Sequence, residues 1–199
     1  MGYGLGSSGS LCAASYDSFG IVSKDYKEIK DHLATMESFF HGTSSGLDPL
    51  TIYLNKPLHL HNQEIEVLKN PINTKNILVL DSGITRNAKS FIQGFNQKKS
   101  SDPSFQKALI ELNELNTQAI SNLLDGTPVY EPACLISQLQ LHHFNEMIPD
   151  IIRPVWEYGL NSGEYAMKLS GAGGGGCFLL FTEKDQSNLA SISFPIIQI

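Results

Sequence analysis

Between Lys168 and Cys177 the chain reads Lys-Leu-Ser-Gly-Ala-Gly-Gly-Gly-Gly-Cys, which puts five glycines into the six residues 171–176. Glycine gives up more backbone freedom on folding than any other residue, so such a run opposes the fold unless something requires it. A hairpin turn needs one or two glycines. A longer run points to close approach of the backbone to a ligand or to another loop. The β-prone stretches on either side, residues 166–169 and 177–181, read as the strands that the run joins.

The rest of the chain predicts a mixed architecture. Apolar residues Tyr26, Ile29, Leu33, Met36 and Phe40 recur at three- and four-residue steps, so residues 25–40 form an amphipathic helix. Helices are also predicted over 11–19, 87–95, 103–124, 131–147 and 151–158, with Pro103, Pro132 and Pro149 near their starts, where a missing N–H costs nothing. Residues 77–80 read as a buried strand ended by Asp81-Ser82-Gly83, residues 195–199 as a final strand, and Ile52-Tyr53-Leu54 as a short β-prone run. Asn70, Pro71 and Asn73 mark a boundary, giving units over 1–72 and 73–199. Strands mixed with long helices make the class α+β.

Bulk properties exclude several roles. An apolar content of 41% supplies a packed core, and a net charge of −6 argues against nucleic acid as a partner, since phosphate backbones are gripped by clustered Lys and Arg. Cys12, Cys134 and Cys177 are odd in number and widely spaced, which reads as reduced thiols rather than a disulfide framework or zinc site. With no leader pattern and no apolar run of about 18 residues, no membrane partner and a cytoplasmic setting are expected.

Three further stretches carry chemistry. Gly4-Leu5-Gly6-Ser7-Ser8-Gly9 fits G-x-G-x-x-G, but a dinucleotide fingerprint needs a preceding strand, and Met1 leaves no room for one. No lysine follows the last glycine, so a Walker A loop fails too. Two readings stand: an anion site of glycine amides and the Ser7 and Ser8 hydroxyls at a helix N-terminus, or a serine N-cap on a structural helix. Glu37 falls about 40° from Leu33 and about 60° from Phe40 on its helix, on the apolar side. A carboxylate on an apolar face is costly unless paired or bound to a cation; alternatively it lies at the stripe's edge and meets solvent or a lysine. Asp48, in His41-Gly42-Thr43-Ser44-Ser45-Gly46-Leu47-Asp48-Pro49, is either an N-cap with proline at the first helical position or a general base held by a glycine turn.

In this order the pieces resemble the GHMP small-molecule kinases, and within that family the mevalonate kinases. Gly4 to Ser8 is similar to the family's phosphate-binding motif, Glu37 eleven residues before Asp48 to its Glu followed by His-Gly-x-x-Ser-Gly-x-Asp, and Lys168 to Cys177 to its third motif. The resemblance implies a two-domain fold, with a first part like domain 2 of ribosomal protein S5 and a ferredoxin-like C-terminal domain. It implies ATP and Mg²⁺ as cofactors, with the ATP phosphates held by Gly4, Leu5, Gly6, Ser7 and Ser8, and by Gly171, Gly173 and Gly174 nearby. Ser8 and Glu37 would hold the metal, and Asp48 would orient or deprotonate an alcohol, mevalonate first, for attack on the γ-phosphoryl group. Another GHMP kinase acting on a sugar or related alcohol, or an inactive nucleotide-binding fragment, are the alternatives, and a homodimer is left open. The family's early strands, with a lysine and part of the adenine pocket, have no counterpart before Gly2, so the resemblance implies an N-terminally truncated chain of reduced activity. Ala88 stands where the family places Thr or Ser after Arg-Asn, so a substrate-side hydroxyl is lost unless Thr85 replaces it.

Overall fold

The computed structural model describes residues 6–20, 23–62, 64–85, 88–183, 189 and 192–199. They divide into two compact units, one ending at Pro71 and the other running from Ile72 to Ile199.

The first unit holds three helices and a hairpin. α1 (Ser7–Phe19) is followed by α2 (Tyr26–His41), which starts where the Asp25 carboxylate accepts the Lys27 N–H at 2.8 Å. The stripe predicted on α2 is buried at Ile29 and Leu33, while Tyr26 and Phe40 stay exposed. With Cys12 and Tyr16 of α1 and Leu50, they make the small core of this unit. Ile52-Tyr53-Leu54 is not a strand: it is the last turn of α3 (Leu47–Leu54), which ends at Asn55 in a left-handed conformation, φ 48°. Three β-prone residues are too few to override a helix already begun at Leu47, whose spacing puts Leu50 and Leu54 against the core. The strands of this unit come later, as an antiparallel hairpin of β1 (Leu58–His61) and β2 (Glu64–Val67).

The second unit is a four-stranded antiparallel sheet with helices against it. β3 (Ile77–Asp81) leads to α4 (Ala88–Ser101), α5 (Pro103–Asp125), α6 (Tyr130–His143) and α7 (Arg153–Ser162), and then to β4 (Ala166–Leu169), β5 (Cys177–Phe181) and β6 (Ile196–Gln198). The spatial order is β4-β5-β3-β6, the arrangement of a split β-α-β unit, so the α+β class holds. α4 runs past Phe95 to Ser101 because its polar end faces water, and it stops where the Asp102 carboxylate caps α5 through the Ser104 and Phe105 N–H groups, with Pro103 at the first helical position. α6 ends at His143, short of the predicted 147, and a 3₁₀ turn over Asn145–Met147 follows.

Alternation along the strands sends Leu78, Leu80, Met167, Leu169, Phe178 and Leu180 into one core with Phe105, Leu139, Ile152 and Trp156 from the helices. β4 is an edge strand, and α6 covers it with side chains. Ser137 Oγ accepts the Met167 N–H at 3.2 Å and Gln140 Oε1 accepts the Leu169 N–H at 2.9 Å. Ser137 Oγ also accepts the Trp156 indole N–H at 2.7 Å, all of it buried. No helix among the described residues is long and apolar enough to cross a membrane.

Ser137→Ala therefore strands two buried donors at once. It should lower the unfolding free energy by about 2–4 kcal/mol, read from urea denaturation; a loss within error of zero would show that the hydroxyl is not the shared acceptor.

Candidate active site

Glu37 is 7% exposed, and two hydroxyls answer its charge. Ser8 Oγ donates to Oε1 at 3.0 Å, and Ser44 Oγ donates to Oε2 at 2.5 Å. Ser8 belongs to the first turn of α1 and Ser44 to the turn between α2 and α3, so one carboxylate joins three segments. The reading that places Glu37 at the stripe's edge, in contact with solvent or a lysine, is thereby overturned. Ser44 was missed as a site residue; its signal was a hydroxyl inside a glycine-bounded turn shortly after a carboxylate on an apolar face. Burial, and then the Glu37 charge, push the Cys12 thiol pKa up, which keeps that sulfur protonated and poorly nucleophilic.

The N-cap readings fail for a common reason. Gly6 (φ 73°) caps α1 and Gly46 (φ 72°) caps α3, and neither helix has a side-chain cap. The Ser8 hydroxyl donates to Glu37. Asp48 lies inside the first turn of α3 and is exposed, while Pro49 behind it is buried. The two helix starts lie against each other: a Cβ placed on Gly9 would be 3.3 Å from the Pro49 nitrogen and 3.5 Å from the Asp48 carbonyl carbon. A Cβ on Gly46 would collide with the Lys30 carbonyl oxygen, so that cap must be glycine on two counts. Two positive helix ends side by side, one exposed carboxylate and one buried hydroxyl-bonded carboxylate make a place suited to anions and to a cation between them. Gly4 and Leu5 lie outside the described residues, as do Arg86, Asn87 and the side chain of Ala88; Thr85 is exposed.

In the second unit the glycine run follows β4. Gly171, Gly173, Gly174, Gly175 and Gly176 all have positive φ. A Cβ would meet the Met147 carbonyl oxygen at Gly173, the Phe91 ring at Gly174 and the Ile84 carbonyl oxygen at Gly175. The Gly174 N–H donates to Met147 O at 2.7 Å, the Gly176 N–H to Ile84 O at 2.8 Å, and the Ser82 hydroxyl to Gly176 O at 2.7 Å. Of the two explanations the sequence allowed, approach to other loops accounts for these glycines directly. Lys168, on β4 just before the run, donates to Leu169 O at 3.4 Å, and burial pulls its ammonium pKa below the ordinary value.

Residues 86–192, more than half of the chain, match the family described as GHMP kinases C terminal. The chain belongs to the GHMP kinase family. Its fold is shared with solved mevalonate kinases: that of L. major, crystallised with R-mevalonate, at TM-score 0.66 and 17% identity over 97% of this chain and 65% of that one. The mevalonate kinase of methicillin-resistant Staphylococcus aureus MRSA252 aligns at TM-score 0.58 and 25% identity, over 92% of this chain and 59% of that one. The Lin0012 protein of Listeria innocua aligns at TM-score 0.63 and 17% identity, over 89% and 58%. The chain thus spans less than two thirds of the length of each. No curated protein matches it by sequence.

A lysine whose pKa is lowered in the fold binds fewer protons folded than unfolded between the two values. Stability therefore rises with pH across that window, up to about pH 10.4, and the penalty is fully present below it. Lys168→Met should raise the urea midpoint at neutral pH and flatten the alkaline rise; an unchanged pH slope would show that Lys168 is not the buried charge.

Proposed function

We propose that this protein transfers the γ-phosphoryl group of ATP to a small alcohol, with mevalonate the first candidate. The observation that carries the reading is the joining of Ser8 and Glu37 at the start of α1, with the Asp48 segment packed beside it. The donor set fits magnesium: one carboxylate and a hydroxyl are hard oxygen ligands, and Mg²⁺ binds through one or two carboxylates plus substrate phosphates. When bound, the ion supplies neutralisation of charge on the transferring phosphoryl oxygens.

The chain's own residues divide the remaining work. Amides at the start of α1, from Gly6 through Ser8, bind phosphate oxygens, helped by the positive helix end. Ser44 fixes the second Glu37 oxygen, so the carboxylate keeps one orientation toward Ser8. Asp48, exposed on the neighbouring helix start, accepts the proton of the alcohol hydroxyl as it attacks. Gly171, Gly173 and Gly174 act through the loop they shape. Three free cysteines suit a reducing compartment, and a cytoplasmic setting belongs to the same proposal. Mevalonate ranks first because the solved relatives named above include two mevalonate kinases.

A coupled ADP-release assay across mevalonate, homoserine, galactose and phosphomevalonate tests the proposal. ADP should form with mevalonate, only with Mg²⁺ present, and stop on chelation. Asp48→Asn should lower kcat by about 10²–10⁴-fold with little change in the KM for ATP, while Glu37→Gln should raise the Mg²⁺ concentration needed for half-maximal rate. ADP formation that no alcohol stimulates, or that survives Asp48→Asn intact, would refute the reading.

A further inference from the structure

The hairpin of the first unit has two faces of different chemistry. Alternation along β1 and β2 turns Leu58 and Ile65 to the small core and leaves His59, His61, Glu64 and Glu66 on the other face. The register pairs each imidazole with a carboxylate, His59 with Glu66 and His61 with Glu64. No lysine or arginine stands between residues 57 and 68, so on this hairpin the two carboxylates have only imidazoles beside them.

The spacing of these groups is close to that of ligands around one metal ion. A zinc ion bound tetrahedrally at about 2.0–2.1 Å sets neighbouring donor atoms about 3.3 Å apart and the centroids of two imidazole ligands about 5 Å apart. His59 Nδ1 lies 3.6 Å from Glu66 Oε2, and the His59 and His61 ring centroids lie 6.0 Å apart with the rings tilted by 30°. As placed, no three ligating side chains converge among the described residues. The remaining difference of about 1 Å between the rings is closed by His61. That residue is exposed at the end of its strand, and exposed side chains change rotamer within nanoseconds.

The donor types narrow the choice of ion. Imidazole nitrogen together with carboxylate oxygen suits zinc and its neighbours in the first transition series, whereas Mg²⁺ takes oxygen ligands. Two histidines and one glutamate leave one position of a tetrahedral shell for water. We propose that His59, His61 and Glu66 bind a divalent transition-metal ion, with zinc the first candidate. An ion held from both strands ties β1 to β2, and a two-stranded hairpin is marginally stable by itself in water. The site uses none of the residues assigned to phosphoryl transfer and does not depend on that assignment.

The test is calorimetric titration of the full chain, first stripped of metal by a chelator, with zinc chloride. One ion should bind per chain, and Mg²⁺ in large excess should not displace it. His59→Asn and His61→Asn should each weaken binding at least about tenfold, and Glu66→Gln should weaken it as well. His142→Asn and Cys134→Ser, which remove ligating groups elsewhere, should leave it unchanged. Zinc should also slow amide hydrogen exchange across β1 and β2, a measurement made on the unaltered chain that stands whether or not a variant folds. Absence of saturable binding, binding kept in full by His59→Asn, His61→Asn or Glu66→Gln, or its loss in His142→Asn or Cys134→Ser would overturn the proposal. So would displacement by Mg²⁺, or hairpin exchange that zinc leaves unchanged.

Discussion

A carboxylate withdrawn from water must be met by donors, and the first unit is arranged around one such meeting. Glu37 comes from the interior side of α2, and its two oxygens take hydroxyls from α1 and from the turn before α3. The apolar cluster beneath them is small, built on Cys12, Tyr16, Ile29, Leu33 and Leu50. Side chains that slide over one another at little cost set rough proximity; two directional bonds to one group set position. What they hold in place is the pair of glycine-capped helix starts, which is the feature the proposed phosphoryl-transfer chemistry needs.

The second unit solves a different problem. The core-facing residues of β3, β4 and β5 are apolar and pack against residues of the four helices, and the glycine run is fastened to Met147, Phe91 and Ile84 by contacts that leave no space for a Cβ. A loop of five glycines would be mobile if left in water. Clamped on several sides, it becomes a fixed backbone surface, and its hydrogen bonds to Met147, Ile84 and Ser82 offset part of its conformational cost.

Much of this was legible in the chain before any coordinates. The α2 stripe, the start of α5 at Pro103 and the strands beside the glycine run each follow from local rules, and Glu37 stood out because a carboxylate on an apolar face demands an explanation. What the sequence could not disclose were relations between distant residues. Ile52 to Leu54 has strand propensity, and only the helix begun at Gly46 and packed on α1 overrides it. Ser44 looks like any turn serine until folding carries it to Glu37. The hairpin at residues 58–67 was overlooked because its strands are four residues each and polar on alternate positions, a signal too short to read. The glycine run was seen at once, but the residues that require it lie dozens of positions away.

The cover that α6 lays along β4 has a consequence for association. With Ser137 and Gln140 occupying main-chain donors of that strand, an extended peptide arriving there finds them already engaged. The opposite margin, β6, is three residues long and holds Ile197 half in water. Recruitment of a foreign strand, whether in a specific complex or in aggregation, is therefore disfavoured along β4.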